Sequence, residues 1–244
     1  MSIRTAISVI FWALAAMFTV MVFLCVLLCA TVLFPFDHKR KLAHTLGFWW
    51  SDCLVKVNPY WSVRISGLKN IEDNKAYVIV ANHQSMADIV MLYKTHAQFK
   101  WVAKDILFKV PVFGWCMSGM KYIRLSRDEL GSIKDAYVEA DKWLKKGISV
   151  LFFPEGTRSL TGQINPFKNG AFKLAIKEHV PVLPIFISGT RDIIPKGSWI
   201  FKEKADCRLE VFPAIDTSGY QPEDFAKLRY NVRELLLSAQ RMLG

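Results

Sequence analysis

The stretch Ala76-Tyr-Val-Ile-Val-Ala-Asn-His-Gln-Ser-Met-Ala-Asp88 joins an apolar run to a short polar segment. The run ends abruptly at Asn82-His83, as a buried strand does where it reaches the edge of a sheet. Asp88 follows His83 by five residues, close enough to orient its imidazole. A loop just past a buried strand is where a general base belongs. The pair alone also fits an ordinary polar residue beside a strand, so its meaning depends on the rest of the chain.

Beyond residue 62, short apolar runs alternate with stretches of helical periodicity. Strands are predicted at 62–66, 76–81, 99–103, 122–125, 149–153, 181–188 and 208–212. Helices are predicted at 86–93, 106–110, 113–118, 129–145, 171–179 and 222–242. This alternation indicates an α/β fold, with a mixed, largely buried β-sheet flanked by helices.

The N-terminal region is the most apolar part of the chain. Residues 5–36 contain no charged residue and no histidine; as one helix they would be roughly 48 Å long, against ~30 Å for the hydrocarbon core of a bilayer. A signal peptide has a shorter apolar region, and a buried core helix seldom stays apolar on every face for this length. We therefore expect a membrane-anchoring helical segment, which either spans the bilayer or inserts in one leaflet. Residues 42–57 have amphipathic helical spacing, so we expect membrane-associated helices over 1–60 and an α/β domain over 61–244.

The chain is strongly basic, with a formal net charge of +11. No nucleic-acid-binding motif accompanies this charge, which therefore indicates anionic lipid headgroups or an anionic substrate and not nucleic acid. His38-Lys39-Arg40-Lys41 makes the downstream flank of the apolar segment more basic than the upstream one, which predicts that the body of the protein is cytoplasmic. Five cysteines without paired spacing suit a reducing compartment and give no metal signature.

A second loop with the same organisation is Leu151-Phe-Phe-Pro-Glu-Gly-Thr-Arg-Ser159. Glu155 can hold a hydroxyl, Gly156 permits a tight turn, and Arg158 can bind a phosphate through its guanidinium. A capped surface turn with an ion pair is the simpler interpretation. Ligands of α/β sheets gather at strand ends of this kind, so two such loops favour a functional site more strongly than either alone. Glycine-rich phosphate loops and the Gly-x-Ser-x-Gly hydrolase elbow are absent from the sequence.

Three segments together carry a family resemblance: Asn82–Asp88, Phe153–Arg158 and Val180-Pro-Val-Leu-Pro184. In order and spacing they resemble the glycerolipid acyltransferase family, and within it the lysophosphatidic acid acyltransferases, over about residues 62–215. The resemblance implies that family's fold and a catalytic domain over 61–244. It also implies transfer of a fatty-acyl group to the sn-2 hydroxyl of 1-acyl-sn-glycerol 3-phosphate (lysophosphatidic acid), giving phosphatidic acid at the bacterial inner (cytoplasmic) membrane.

Carried over to this sequence, the resemblance makes His83 the general base and Asp88 the acid that orients it. The substrate hydroxyl is then the nucleophile, so no metal, cofactor or acyl-enzyme is required. The acyl donor, a thioester of acyl carrier protein or coenzyme A, is a co-substrate. The resemblance assigns acceptor binding to Glu155, Gly156, Thr157, Arg158, Arg127, Arg124, Lys168 and Lys104.

The family's second sequence block departs from its usual form in this chain. Gly119-Met-Lys-Tyr-Ile-Arg-Leu-Ser-Arg127 is two residues longer, with Ser126 where an acid is common. Arg127 and Arg124 are therefore alternative phosphate ligands. The departure leaves open an acyltransferase for another lyso-lipid, such as a lyso-ornithine lipid or a lysophospholipid. A non-catalytic membrane lipid-binding protein is the alternative from a different class.

Overall fold

The computed structural model describes residues 3–33, 36–58, 61–126, 130–193, 199–201 and 204–243. Its helices are α1 (Ile3–Thr31), α2 (Lys41–Val57), α3 (Ala87–Tyr93), α4 (Asp105–Phe108), α5 (Phe113–Gly119), α6 (Leu130–Lys145), α7 (Gly170–Lys177), α8 (Thr190–Ile193) and α9 (Phe225–Leu243). Its strands are β1 (Trp61–Ser66), β2 (Val78–Ala81), β3 (Phe99–Lys104), β4 (Ile123–Leu125), β5 (Ser149–Phe152), β6 (Val182–Ser188) and β7 (Ala205–Val211).

One seven-stranded sheet forms the centre of the molecule, in the order β1-β7-β6-β2-β5-β3-β4. The five strands from β6 to β4 are parallel, whereas β7 is antiparallel to β6 and parallel to β1. The central strands β2, β5 and β6 are buried along their whole length. Their carboxyl ends, together with those of β3 and β4, meet at one edge of the sheet, called the carboxyl edge below.

Helices cover both faces of the sheet, and the alternation of side chains along β2 shows why. Ile79 and Ala81 belong to a core shared with α1, α2, α3 and α5. Val78 and Val80 point to the opposite face, which α6, α7 and α9 cover. Both faces of a strand must be apolar in such a three-layer arrangement, since successive side chains point to opposite sides. The predicted α/β fold with a buried mixed sheet and flanking helices is confirmed.

Within the described residues, α1 is the helix long and apolar enough to cross a membrane, with a mean hydropathy of 2.7. It nevertheless packs along the body of the protein. Ser8 Oγ accepts a hydrogen bond from the Phe201 N–H at 3.0 Å, and Trp50 Nε1 donates to Thr19 Oγ1 at 3.0 Å. A buried stripe follows the inner face at helical spacing: Phe11, Ala15, Val22 and Val26. Because α1 and α2 share a core with the sheet, the division at residue 60 stays a prediction.

Several elements differ from the sequence-based expectations, and three of them have a clear structural basis or consequence. β7 begins at Ala205, three residues earlier than predicted, and its alternate residues are buried from that point. α4 is a single turn, since Pro111 stops the helix and Val112 turns the chain with φ 62°. The short helix α8, at the carboxyl end of β6, was not predicted.

Candidate active site

His83 and Asp88 form the centre of the site, in the loop that follows β2. His83 Nδ1 lies 2.7 Å from Asp88 Oδ2. A carboxylate only accepts hydrogen bonds, so Nδ1 carries the proton and Nε2 is the unprotonated nitrogen of the neutral imidazole. The Asp88 side chain is fully buried, whereas that of His83 is 18% exposed. The arrangement therefore presents a base to the surface and keeps its orienting acid inside.

The buried carboxylate of Asp88 is satisfied on both oxygens. Besides His83, Oδ2 accepts the N–H of Gln84 at 2.7 Å and that of Ser85 at 2.9 Å. Oδ1 accepts a hydrogen bond from the hydroxyl of Thr190, the first residue of α8. Buried polar atoms need such partners, and here the partners also fix the orientation of the carboxylate toward the imidazole.

The loop after β5 holds the backbone of His83 at both of its polar groups. Glu155 Oε1 accepts the His83 N–H at 2.7 Å, and the Ser159 N–H donates to the His83 carbonyl at 2.8 Å. The Phe153 ring stacks on the imidazole, with centroids 4.0 Å apart. Gly156 makes the turn between these contacts with φ 72°, a conformation that costs glycine little. The two loops together fix the imidazole before any substrate binds.

Glu155 is itself buried, and its second oxygen also has partners. Oε2 accepts the backbone N–H and the side-chain N–H of Asn165, each at 2.9 Å. Burial raises the pKa of the Glu155 carboxyl, and the hydrogen bonds from Asn165 and His83 oppose this effect. The sequence predicted that Glu155 binds the acceptor; its contacts lie within the protein, and acceptor binding stays a prediction.

Arg158 lies between the two points at which this loop contacts His83. It is half-buried and forms no hydrogen bond or ion pair with the described residues, so its guanidinium is available to an anion. Thr157, beside it, is exposed. Lys168 is exposed as well, and its backbone N–H donates to the Pro154 carbonyl at 2.9 Å, which keeps the lysine next to the same loop.

The other predicted cations lie farther along the carboxyl edge. Lys104 ends β3 and Arg124 lies on β4. Since β5 and β3 separate β4 from β2, Arg124 is about 14 Å from the line of β2 at ~4.8 Å per strand. Its guanidinium already donates to Ser118 Oγ at 3.1 Å and lies 3.8 Å from the Asp105 carboxylate. Arg127 falls outside the described residues.

Three residues that build the site were missed as site residues: Asn165, described above, Thr190 and Asn82. Thr190 is 102 residues after Asp88, and no local sequence pattern marks it. Asn82 belongs to the quoted stretch, but its role depends on topology: its side chain exchanges two hydrogen bonds of 2.8 Å with the backbone of Ile187, at the end of β6. In the described part of the chain, no group of three or more His, Cys, Asp or Glu side chains is arranged to hold a metal ion.

Comparison with known proteins identifies the group to which this site belongs. A family model described as Acyltransferase matches residues 62–188, more than half of the chain. The chain belongs to the acyltransferase family. The predicted family is thereby confirmed.

Relatives in this acyltransferase family come from plants, an alga, mammals and bacteria. The chloroplastic 1-acyl-sn-glycerol-3-phosphate acyltransferase BAT2 of Brassica napus is 38% identical over 179 residues, 73% of this chain and 52% of that protein. The 1-acyl-sn-glycerol-3-phosphate acyltransferase of Pseudomonas aeruginosa is 34% identical over 165 residues, 67% of this chain and 63% of that protein. The chain thus spans about half the length of some of the curated relatives that it matches. The crystal structure of the 1-acyl-sn-glycerophosphate acyltransferase PlsC from Thermotoga maritima is 29% identical, with a TM-score of 0.85 over 98% of this chain and 95% of that one.

An apolar cavity lies between α1, α2, α3 and α5 of this acyltransferase-family chain. Its cavity volume is about 40 Å³, and it is partly open to solvent. Ile89, the residue after Asp88, lines it. The other lining residues include Val22, Trp50, Tyr93, Phe113, Cys116 and Met117.

Proposed function

We propose that this protein is a lysophosphatidic acid acyltransferase, which transfers a fatty-acyl group from an acyl thioester to the sn-2 hydroxyl of 1-acyl-sn-glycerol 3-phosphate. The observation that carries the proposal is the position of His83. Its side chain is 18% exposed, and Arg158, which has no partner among the described residues, lies on the loop that bonds to the His83 backbone at Glu155 and Ser159. A base beside an anion-binding group suits an acceptor that has both a hydroxyl and a phosphate. The names of the relatives and of PlsC support the same reaction.

In the proposed reaction, His83 Nε2 removes the proton from the sn-2 hydroxyl while that oxygen attacks the thioester carbonyl carbon. A C–O bond forms, the C–S bond breaks, and the leaving thiolate takes the proton from the imidazolium and departs as the thiol. Asp88 stabilises the imidazolium through the 2.7 Å hydrogen bond to Nδ1. Base catalysis contributes ~10²–10⁴-fold, and alignment of two bound substrates contributes more.

Arg158 and Lys168 are the proposed phosphate ligands nearest to the base, because the loop that carries Arg158 is bonded to His83 on both sides. Lys104 and Arg124 would act at the outer part of the acceptor site. An arginine fork matches a phosphate monoester in a bidentate geometry.

The acyl chain of the donor would occupy the apolar cavity behind α3. Ile89 lines the cavity and directly follows Asp88, so one wall of the cavity adjoins the residue that orients the base. Both coenzyme A and acyl carrier protein are compatible carriers, since the carrier would remain outside the cavity.

We further propose that α1 inserts in one leaflet and does not cross the bilayer. Its contacts with the body extend from Ser8 to Val26, roughly 27 Å at 1.5 Å per residue. A helix held along the body in this way cannot cross the hydrocarbon core alone. Its exposed apolar face would lie in lipid, and the exposed residues His38, Lys39 and Lys41 would meet anionic headgroups on the cytoplasmic side of a bacterial inner membrane.

The test is an acyl-transfer assay with the purified full chain in lipid–detergent micelles. Labelled acyl-coenzyme A or acyl carrier protein is offered with lysophosphatidic acid, lysophosphatidylethanolamine and a lyso-ornithine lipid, using the His83→Gln variant as the inactive control. Phosphatidic acid formed by the wild type alone is the expected product. Selective acylation of another acceptor would replace the proposed substrate, and no product from any acceptor would support a lipid-binding protein.

A further inference from the structure

Both oxygens of the Glu155 carboxylate accept hydrogen bonds from other groups of the protein. His83 N–H reaches Oε1 at 2.7 Å, and the two N–H groups of Asn165 reach Oε2 at 2.9 Å. Glu155 is only 6% exposed. All three partners are donors, and a carboxylate is the side chain that accepts at both ends without offering a proton.

We propose that Glu155 and Asn165 are a positioning pair, which sets the place of the His83 backbone, and that Glu155 does not bind the acceptor. The proposal rests on the acyltransfer reaction for its kinetic consequence, since His83 is the base of that reaction. It assigns Asn165 a function that its position outside the two catalytic loops does not reveal.

The pair is anchored to the far side of the molecule by the C-terminal helix. Arg233 in α9 donates to the backbone carbonyls of Asn165 at 3.3 Å and of Ile164 at 3.1 Å. Gln240, in the last turns of α9, donates to the Gly162 carbonyl at 2.6 Å. A continuous series of hydrogen bonds therefore connects α9 through Asn165 and Glu155 to His83.

Replacement of one partner breaks the connection at a defined atom. In Glu155→Gln, one carboxylate oxygen becomes an NH₂ group. If the glutamine oxygen still accepts from Asn165, the NH₂ group faces the His83 N–H, and two donors oppose each other. In Asn165→Asp, two carboxylates face each other across the former hydrogen bond. The double variant Glu155→Gln/Asn165→Asp removes both of these side-chain conflicts, because the glutamine oxygen can accept from His83 while its NH₂ group donates to the new aspartate. The backbone N–H of residue 165 still loses its acceptor at Oε2, so the rescue is expected to be partial. The total charge of the pair is unchanged in the double variant.

The experiment compares the wild type, both single variants, the double variant and the control Gln163→Ala, which changes an exposed side chain of the same loop. We expect kcat to fall about 10²-fold in Glu155→Gln, as for a ~1 Å misplacement of a catalytic group. The KM for lysophosphatidic acid should stay within about threefold of the wild type, and the double variant should recover at least tenfold in kcat over Glu155→Gln. A large rise in KM without rescue would identify Glu155 as an acceptor ligand and overturn the proposal.

Hydrogen exchange of a peptide that covers residues 82–85 gives a readout without substrate. The His83 amide should exchange faster in Glu155→Gln and regain protection in the double variant, with thermal midpoints recorded for every variant. Unchanged protection in Glu155→Gln would overturn the positioning role. If the exchange pattern is as expected but the wild type does not acylate lysophosphatidic acid, the proposed substrate fails and the positioning role stands.

Discussion

Replacement of Asp88 by asparagine separates the charge of the acid from its hydrogen bonds. Oδ2 accepts three N–H donors, whereas Oδ1 accepts only the hydroxyl of Thr190. An asparagine oxygen at the Oδ2 position retains all three N–H bonds, and the Thr190 hydroxyl can rotate to accept from the new NH₂ group. Asp88→Asn therefore removes the negative charge while the tautomer and position of His83 are preserved.

The expected loss follows from the electrostatic term alone. A carboxylate about 4 Å from the centre of an imidazolium stabilises it by ~4 kcal/mol at an effective dielectric constant of 20. That energy corresponds to a factor on the order of 10³ in rate. We expect kcat to fall by about 10²–10³ in Asp88→Asn, with a nearly unchanged KM for lysophosphatidic acid and a thermal midpoint close to that of the wild type.

Steady-state kinetics and thermal unfolding of Asp88→Asn and Asp88→Ala together check this reasoning. Alanine leaves the N–H groups of Gln84 and Ser85 and the Thr190 hydroxyl without their acceptor, at about 1–3 kcal/mol each where they are buried. Asp88→Ala should therefore unfold at a clearly lower temperature than Asp88→Asn. Wild-type kcat in Asp88→Asn would refute a role for the charge, and equal destabilisation of both variants would refute the retained hydrogen bonds.

Three further outcomes are expected. Arg158→Ala should raise the KM for lysophosphatidic acid by one to two orders of magnitude, about 1.4 kcal/mol per tenfold, with less effect for an acceptor without a phosphate monoester; a change in kcat alone would contradict phosphate binding. Burial and the nearby charge of Lys100 lower the pKa of His44 to about 3, so its stabilising contribution is present above about pH 6.5 and is lost as the pH falls below it. That loss of unfolding free energy reaches ~2 kcal/mol at pH 5, which lowers the thermal midpoint by about 4–8 °C. His44→Gln should therefore lose less of its thermal midpoint between pH 8 and pH 5 than the wild type does. An equal drop in both proteins would exclude His44 as its source. Cys116→Phe should fill part of the apolar cavity and shift the preferred acyl donor to shorter chains in a competition assay, whereas Cys116→Ala should not. A chain-length profile of Cys116→Phe equal to that of the wild type would place the acyl chain elsewhere.

Most of the fold could be predicted from the sequence because its elements have strong local patterns. The apolar runs at 76–81 and 149–153 predicted β2 and β5 to within two residues, since strands buried on both faces have continuous apolar sequences. The order of the strands was not predicted, because β2 lies between two strands that come much later in the chain. Local patterns contain no information on such pairing.

Some residues of the candidate site could likewise be predicted from the sequence, and others could not. His83, Asp88 and the loop from Glu155 to Arg158 could be found because each follows an apolar run. Thr190 and Asn165 could not, since a hydroxyl or an amide in a loop has no distinctive pattern. Their roles depend on which buried carboxylate they meet, and that follows from packing between distant segments.

The position of β2 between β5 and β6 has a consequence for synthesis in the cell. Asp88 meets Thr190 only after 102 more residues have been made, which takes about 5–20 s at 5–20 residues per second. Until then the carboxylate lacks its hydroxyl partner, and the inner stripe of α1 lacks the contact with Phe201. The apolar helix α1 leaves the ribosome before the strands of the sheet. It can therefore contact lipid on all its faces first, and its inner face can pack against the protein once the sheet has formed. Delivery to the membrane would then come before assembly of the acyltransferase site.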